Sequence, residues 1–226
     1  MTDRPLELAK NGAAHLLAEA EAALTAGEID EAEWYRRVAA SITSRYLAAD
    51  TPWAQSGRSG DAASFEYARS LLVDAMRPGT FLDVGCASGY LMERMVVWCV
   101  DAGIACEPYG LDIAAELAEL ARTRLPHWRD RIFVGNAIDW QAPQRFDVVR
   151  TGLEYVPLRR QRDFVARLLA DVVADGGRLV IGVFNEERDV RAYERELASW
   201  GFAIAGRAER EHRDPRLAYR AVWIDR

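Results

Sequence analysis

The run Thr80-Phe81-Leu82-Asp83-Val84-Gly85-Cys86-Ala87-Ser88-Gly89 joins a strand-ending acid to three small residues at alternate positions. Small residues in such a turn let backbone N–H groups approach a ligand closely at the N-terminus of the following helix. A second acid, Asp112, ends the next apolar run, Tyr109-Gly110-Leu111-Asp112. That is where a nucleoside-binding βαβ unit places its ribose ligand. Two acids and a small-residue turn at this spacing suit the holding of a nucleoside-containing ligand. Cys86 lies inside the turn. Its reading is a small residue tolerated in a crowded place rather than a thiol nucleophile.

These residues must be positioned by alternating strands and helices. Apolar β-type runs occur at Thr80–Gly85, Glu107–Asp112, Arg131–Ala137, Phe146–Thr151 and Arg178–Phe184. Helical periodicity marks Tyr90–Ala102, Ala114–Arg124, Leu158–Val173 and Asp189–Trp200. A βαβ series of this kind predicts an α/β fold with a parallel sheet and helices on both faces. Two more strands, Phe202–Arg210 and Leu217–Asp225, follow with only a hairpin-length connection, which predicts one antiparallel strand near an edge. Upstream, Leu6, Ala9, Ala13, Leu16, Leu17, Ala20, Ala23 and Leu24 recur at helical spacing, and Gly27 ends that helix. Asp30 to Glu33 then opens a second helix through Trp34, Val38, Ile42 and Tyr46, so the first fifty residues read as a helical hairpin. Asp50–Asp61 is the longest loop-like segment and carries Trp53, Ser56 and Gly57, a linker or a lid over the ligand. Ala62–Met76 is another helix. The expected division is a helical cap with lid loop over 1–60 and a ligand-binding α/β domain over 61–226.

With 226 residues, half of them apolar, the chain can bury one substantial core. A net charge of −6 argues against a basic nucleic-acid face. Among 29 basic residues only Lys10 is a lysine, a bias from which no function is read. Three cysteines, Cys86, Cys99 and Cys106, have no metal-ligand spacing and fit a reduced, cytoplasmic protein. No apolar run reaches membrane-span length, and no acidic cluster suits a metal, so neither a membrane nor a metal is expected.

From roughly Asp61 to the C-terminus the chain resembles the class I S-adenosylmethionine-dependent methyltransferases, especially small actinobacterial-type members with an N-terminal helical cap. The stretches that carry this are Leu82–Gly89, Gly110-Leu111-Asp112, Val134-Gly135-Asn136-Ala137 and Phe146–Val149 with Thr151–Val156, together with Asp175–Leu179 and the terminal hairpin. The resemblance implies a Rossmann-like, doubly wound, mostly parallel seven-stranded sheet with a C-terminal antiparallel hairpin, and S-adenosylmethionine as cofactor. It implies that Gly85, Cys86, Ala87 and Gly89 admit the methionine part and that Asp83 takes its ammonium. Asp112, with Ile113 beside it, holds the ribose. Asn136, where the family more often has Asp, takes the adenine amine, with the Ala137 N–H donating to the ring. Thr151 and Gly152, and from the lid Trp53, Ser56 and Gly57, complete the expected cofactor set. The turn-residue reading of Asn136 stays open beside this one.

For chemistry the candidates are Glu154, Tyr155 and Arg150, after the fourth strand. Arg150 is a departure from the apolar or small residue more usual there, and can pair a substrate carboxylate or neutralise Asp147. His15, His127 and His212 lie outside these motifs. The leading expectation is a methyltransferase acting on a small molecule in specialised metabolism, with a homodimer left open. Three alternatives remain. One is non-methyl chemistry of the same sulfonium (cyclisation or aminocarboxypropyl transfer with release of methylthioadenosine). Another is an RNA or protein methyltransferase using the arginine-rich stretches Arg122–Arg131 and Arg159–Arg167. The last is a binding module without turnover.

Overall fold

The computed structural model describes residues 14–57 and 60–226. The expected helical positions Leu6, Ala9 and Ala13, and Arg58-Ser59 of the loop, lie outside the described residues. Helices α1 (Ala14–Thr25) and α2 (Glu31–Leu47) form the N-terminal hairpin. Asp30 caps α2 by accepting the Glu33 N–H at 2.8 Å. Ala20, Leu24 and Trp34 seal the two helices together, with Leu17, Val38 and Tyr35 around them.

The segment after the hairpin is not a featureless linker. Ala54–Ser56 makes a 3-10 turn, and the Trp53 indole closes the loop by donating to the Gly60 carbonyl at 2.8 Å. Asp61 then caps α3 (Ala62–Arg69) through the Ser64 N–H. A 3-10 turn over Ser70–Ala75 replaces the expected last stretch of this helix.

The α/β part runs β1 (Gly79–Val84), α4 (Tyr90–Asp101), β2 (Cys106–Asp112), α5 (Ala115–Arg124), β3 (Ile132–Val134) and β4 (Phe146–Thr151). It continues through α6 (Gln161–Arg167), β5 (Val173–Glu187), α7 (Ala192–Ser199), β6 (Gly206–Glu211) and β7 (Leu217–Asp225). Seven strands lie in the order β3-β2-β1-β4-β5-β7-β6, and β7 alone runs against its neighbours. This is the Rossmann-like sheet with a terminal hairpin that the sequence implied.

Alternation along the strands sorts the core into two layers. Leu82, Val149, Leu179, Ile181 and Val222 pack with Phe164, Leu168 and Leu197 of the α6–α7 side. Phe81, Val148, Val180 and Ala221 face Phe65, Leu72, Met95 and Cys99 on the other.

Further elements differ from the sequence expectation, among them β5, which runs Val173–Glu187 rather than Arg178–Phe184. β3 is three residues, not Arg131–Ala137, because Gly135 bonds back to the Asp112 carbonyl and Asn136 starts a turn. The expected helix Leu158–Val173 is broken into a 3-10 turn, α6 and a π turn at Leu168–Val172. β6 begins at Gly206 rather than Phe202, since Phe202 still bonds back to the end of α7.

Candidate active site

The C-terminal ends of the parallel strands open on a cavity of about 870 Å³, roofed by α2, the Ala54–Ser56 turn and α3. In open α/β sheets this end of the strands is where ligands bind. Asp83, Gly85, Cys86, Ala87, Asp112, Ile113, Asn136 and Ala137 line it from the loops after β1, β2 and β3. Arg150, Glu154 and Tyr155 line it from beyond β4, and Ser56 and Gly57 from the roof. The fold therefore gathers thirteen of the expected residues around one space.

Four lie elsewhere. Gly89 is the left-handed start of α4, and a Cβ there would meet Leu125 at 2.7 Å, so it serves helix packing. Trp53 closes its own loop and leans on Tyr90. Thr151 is buried under the sheet end, its hydroxyl on the Gly152 carbonyl. Gly152 is covered by the Glu154 carboxylate.

Asp112 organises the loops after β1 and β2. Its Oδ2 accepts the Ala87 N–H at 2.8 Å and its Oδ1 the Ala114 N–H at 2.9 Å. A carboxylate has about four acceptor positions, so about two remain. Burial pushes its carboxyl above the ordinary range, against the pull of these two N–H groups. The turn is also tied to β2 by the Gly85 and Cys86 N–H groups, which share the Leu111 carbonyl at 2.7 and 3.1 Å. Ala87 sits at φ 49, a left-handed conformation that costs a non-glycine residue about 1 kcal/mol and is held here by the bond to Asp112. Gly85 is left-handed at φ 76, and a Cβ on it would lie 2.8 Å from the Tyr155 ring. Burial, reinforced by Asp112 and Asp83, pushes the Cys86 thiol well up, so this group packs rather than attacks. Asn136 does act as a turn residue: its Oδ1 accepts the Ile138 N–H at 3.2 Å and its carbonyl takes Asp139 and Trp140.

The expected pairing of Arg150 with Asp147 is corrected. Residues three apart in a strand face opposite ways, and the β1–β4 register sets Arg150 beside Asp83. Arg150 Nη1 donates to Asp83 Oδ1 and to the Tyr155 hydroxyl, both at 3.1 Å, and Nε to the Gly182 carbonyl. Asp147 instead accepts the Thr80 N–H and hydroxyl, both at 2.8 Å.

Burial outweighs the attraction of Arg150 and pushes the Asp83 carboxyl up to about 6. Between the ordinary value near 4 and about 6, the folded protein holds a proton that the unfolded chain has released. Asp83 thus contributes stability below pH 4 that is lost as pH rises through 6. Denaturant unfolding across this window is expected to show a falling slope that is reduced in Asp83→Asn.

The rest of the cavity is aromatic and was not singled out by sequence. Tyr35 and Tyr46 enter from α2, and Phe184 stacks on Tyr193 with centroids 4.1 Å apart. Arg69 donates to the Val183 carbonyl at 3.3 Å, and His212 also lines the wall. A β-bulge between Gly182 and Phe184 aims this part of β5. The available signal was the position of Phe184 near the C-terminal end of a central strand. Glu154 is half-buried and makes no hydrogen bond or ion pair with the described residues.

Comparison with known proteins agrees with this geometry. A family model described as a methyltransferase domain matches residues 81–177. No curated protein matches the chain in sequence. The 1,6-didemethyltoxoflavin-N1-methyltransferase of Burkholderia thailandensis, solved with 1,6-didemethyltoxoflavin and S-adenosylhomocysteine, is similar with TM-score 0.61 and 18% identity, covering 88% of this chain and 91% of that one. The [4+2]-cyclase SpnF is similar at TM-score 0.57 and 14% identity over 82% and 92%. The N-methyltransferase NodS of Bradyrhizobium japonicum is similar at TM-score 0.54 and 16% identity over 74% and 98%. Such identities speak for the fold. The methyltransferase-domain model thus covers the stretch from β1 to the start of β5, and the solved structures share the Rossmann-like fold.

Proposed function

We propose that the protein is a methyltransferase that uses S-adenosylmethionine to modify a small molecule in specialised metabolism. The carrying observation is Asp112, fixed by two backbone N–H groups with acceptor capacity left over in a cavity shared with Gly85 and Asn136. The donor set fits the cofactor: Asp112 for the ribose hydroxyls, Asn136 and Ala137 for adenine, the Gly85–Ala87 turn for the thioether side. Bound there, the cofactor supplies a methyl group already activated on a sulfonium. This chain's part is then to orient an acceptor against it and to exclude water.

The acceptor side supports a small organic substrate. Its wall is built from Tyr46, Tyr155, Phe184 and Tyr193, and the chain is acidic overall. Two of the similar solved proteins are named as N-methyltransferases. SpnF is a reminder that this fold also carries cyclase chemistry, so the reaction has to be read from the site. The test is incubation with S-adenosylmethionine and a panel of aromatic amines and phenols. Acceptor-dependent S-adenosylhomocysteine is expected. Methylthioadenosine released without any acceptor would replace methyl transfer by the other use of the sulfonium.

A further inference from the structure

Among the described residues three carboxylates line the cavity, Asp83, Asp112 and Glu154. Asp83 is tied to Arg150 and Asp112 to two backbone N–H groups. Glu154 is half-buried and makes neither a hydrogen bond nor an ion pair with the described residues. Its two oxygens lie over Gly152, where an added Cβ would meet them at 2.5 and 2.7 Å. A charge kept in aromatic surroundings without a partner is costly, which points to a partner that arrives with a ligand.

The surroundings are three phenols. Burial pushes up the hydroxyls of Tyr46, Tyr155 and Tyr193, and the Glu154 charge adds to each rise. Such an effect falls with distance, so the carboxylate stands among rings from α2, from the 3-10 turn Leu153–Tyr155 and from α7. The field is not even around them. Guanidinium groups oppose Glu154 at two of the rings, Arg45 and Arg69 at Tyr46, and Arg150 and Arg69 at Tyr155. At Tyr193 the acting charges are Glu154, Glu196 and Glu186, all carboxylates. The Tyr193 ring and Phe184, stacked at 4.1 Å between centroids, therefore mark the negative side of the cavity.

Methyl transfer from a sulfonium moves positive charge onto the acceptor atom. A neutral amine nitrogen becomes cationic, whereas a phenolate or carboxylate oxygen arrives negative and loses its charge. An unpaired carboxylate beside ring faces stabilises the first and repels the second.

We propose that the acceptor is a neutral amine whose nitrogen sits between Glu154 and the Phe184–Tyr193 pair, with Glu154 as the catalytic residue that takes its proton. This rests on the methyl-transfer reading above and narrows its acceptor to amines. The nitrogen lone pair forms the N–C bond while the C–S bond breaks and its electron pair stays on sulfur. An N–H proton of the new ammonium then passes to a Glu154 oxygen, leaving a neutral methylated amine and S-adenosylhomocysteine.

The cationic product is imitated by phenyltrimethylammonium, and tert-butylbenzene is its neutral isostere. Each is titrated calorimetrically into protein first saturated with S-adenosylhomocysteine. The unaltered protein is expected to bind the cation tighter by about tenfold or more, the scale of cation–π contacts joined to a carboxylate. Glu154→Gln is expected to erase that preference, and Glu154→Asp to keep part of it. No detectable binding of the cation, no preference for it, or a preference that survives in Glu154→Gln overturns the proposal. Should Glu154→Gln fail to fold, the comparison in the unaltered protein decides alone. Failure of S-adenosylhomocysteine to bind in the first titration overturns the cofactor reading, and the amine site with it. Binding of S-adenosylhomocysteine without a cation preference overturns only the amine site.

Discussion

Asp112→Ala is expected to raise the dissociation constant for S-adenosylhomocysteine by about a hundredfold or more. Hydrogen bonds to a charged group are worth roughly 1.5–3 kcal/mol each, and two ribose hydroxyls would lose theirs. The loss does not stop at the ligand. The Ala87 and Ala114 N–H groups would be left without their acceptor, and Ala87 would be free to leave its left-handed conformation. The small-residue turn would then be disordered before any ligand arrives. Asp112→Asn separates the two effects, because an amide keeps one oxygen for one of these N–H groups. Its expected penalty is about tenfold, with a smaller fall in thermal midpoint than in Asp112→Ala, because one of the two N–H groups still loses its acceptor. Equal affinity in Asp112→Ala and the unaltered protein would remove the nucleoside assignment.

The second large effect is on stability. Arg220 is 2% exposed and donates to Glu209 at 2.7 Å, to Glu186 at 2.6 Å, and to the carbonyls of Glu187, Arg188 and Val190. Glu186 in turn accepts the Ala192 N–H at 2.6 Å, at the start of α7. One guanidinium thus ties β7 to the exit of β5 and to the first turn of α7. Arg220→Ala leaves the buried Glu186 carboxylate without its counter-charge and several carbonyls without this donor, which costs about 3–5 kcal/mol. For a chain of this size the midpoint should fall by about 6–20 °C. Arg220→Ala with Glu186→Ala should cost clearly less than the two single changes added together, because the second removal takes away the charge stranded by the first. Arg36→Ala is the contrast: its 2.6 Å contact to Glu33 is at least as short, yet the pair is exposed and should leave the midpoint unmoved. A fall in Arg220→Ala no larger than in Arg36→Ala would refute this account.

Much of the architecture could be read from the chain because it is written locally. Strand runs such as Thr80–Gly85 are mostly apolar, and glycines and Pro78 punctuate them. The two acids that end β1 and β2 were visible for the same reason. What stayed hidden depends on register and distance. Arg150 meets Asp83 rather than Asp147 because of how β1 and β4 align, 67 residues apart. Phe184 and Tyr193 meet across a turn whose path Arg220 sets. Trp53 looked like a lid residue by type, but its indole found a carbonyl seven residues on. The break in the helix after Leu158 has no glycine or proline to announce it, only a change of hydrogen-bond pattern at Leu168.

One contact of the hairpin reaches further than its area suggests. Ile42 and Tyr46 of α2 pack on Ala87, Ala114 and Leu117, the apolar undersides of the loops that Asp112 holds. The N-terminal helices therefore share a packed face with these loops. A shortened chain starting at Asp61 would leave Ala87, Ala114 and Leu117, now at most 7% exposed, facing water. Any lineage that altered the inner face of α2 would also have been adjusting the loops after β1 and β2, so the two are expected to have changed together.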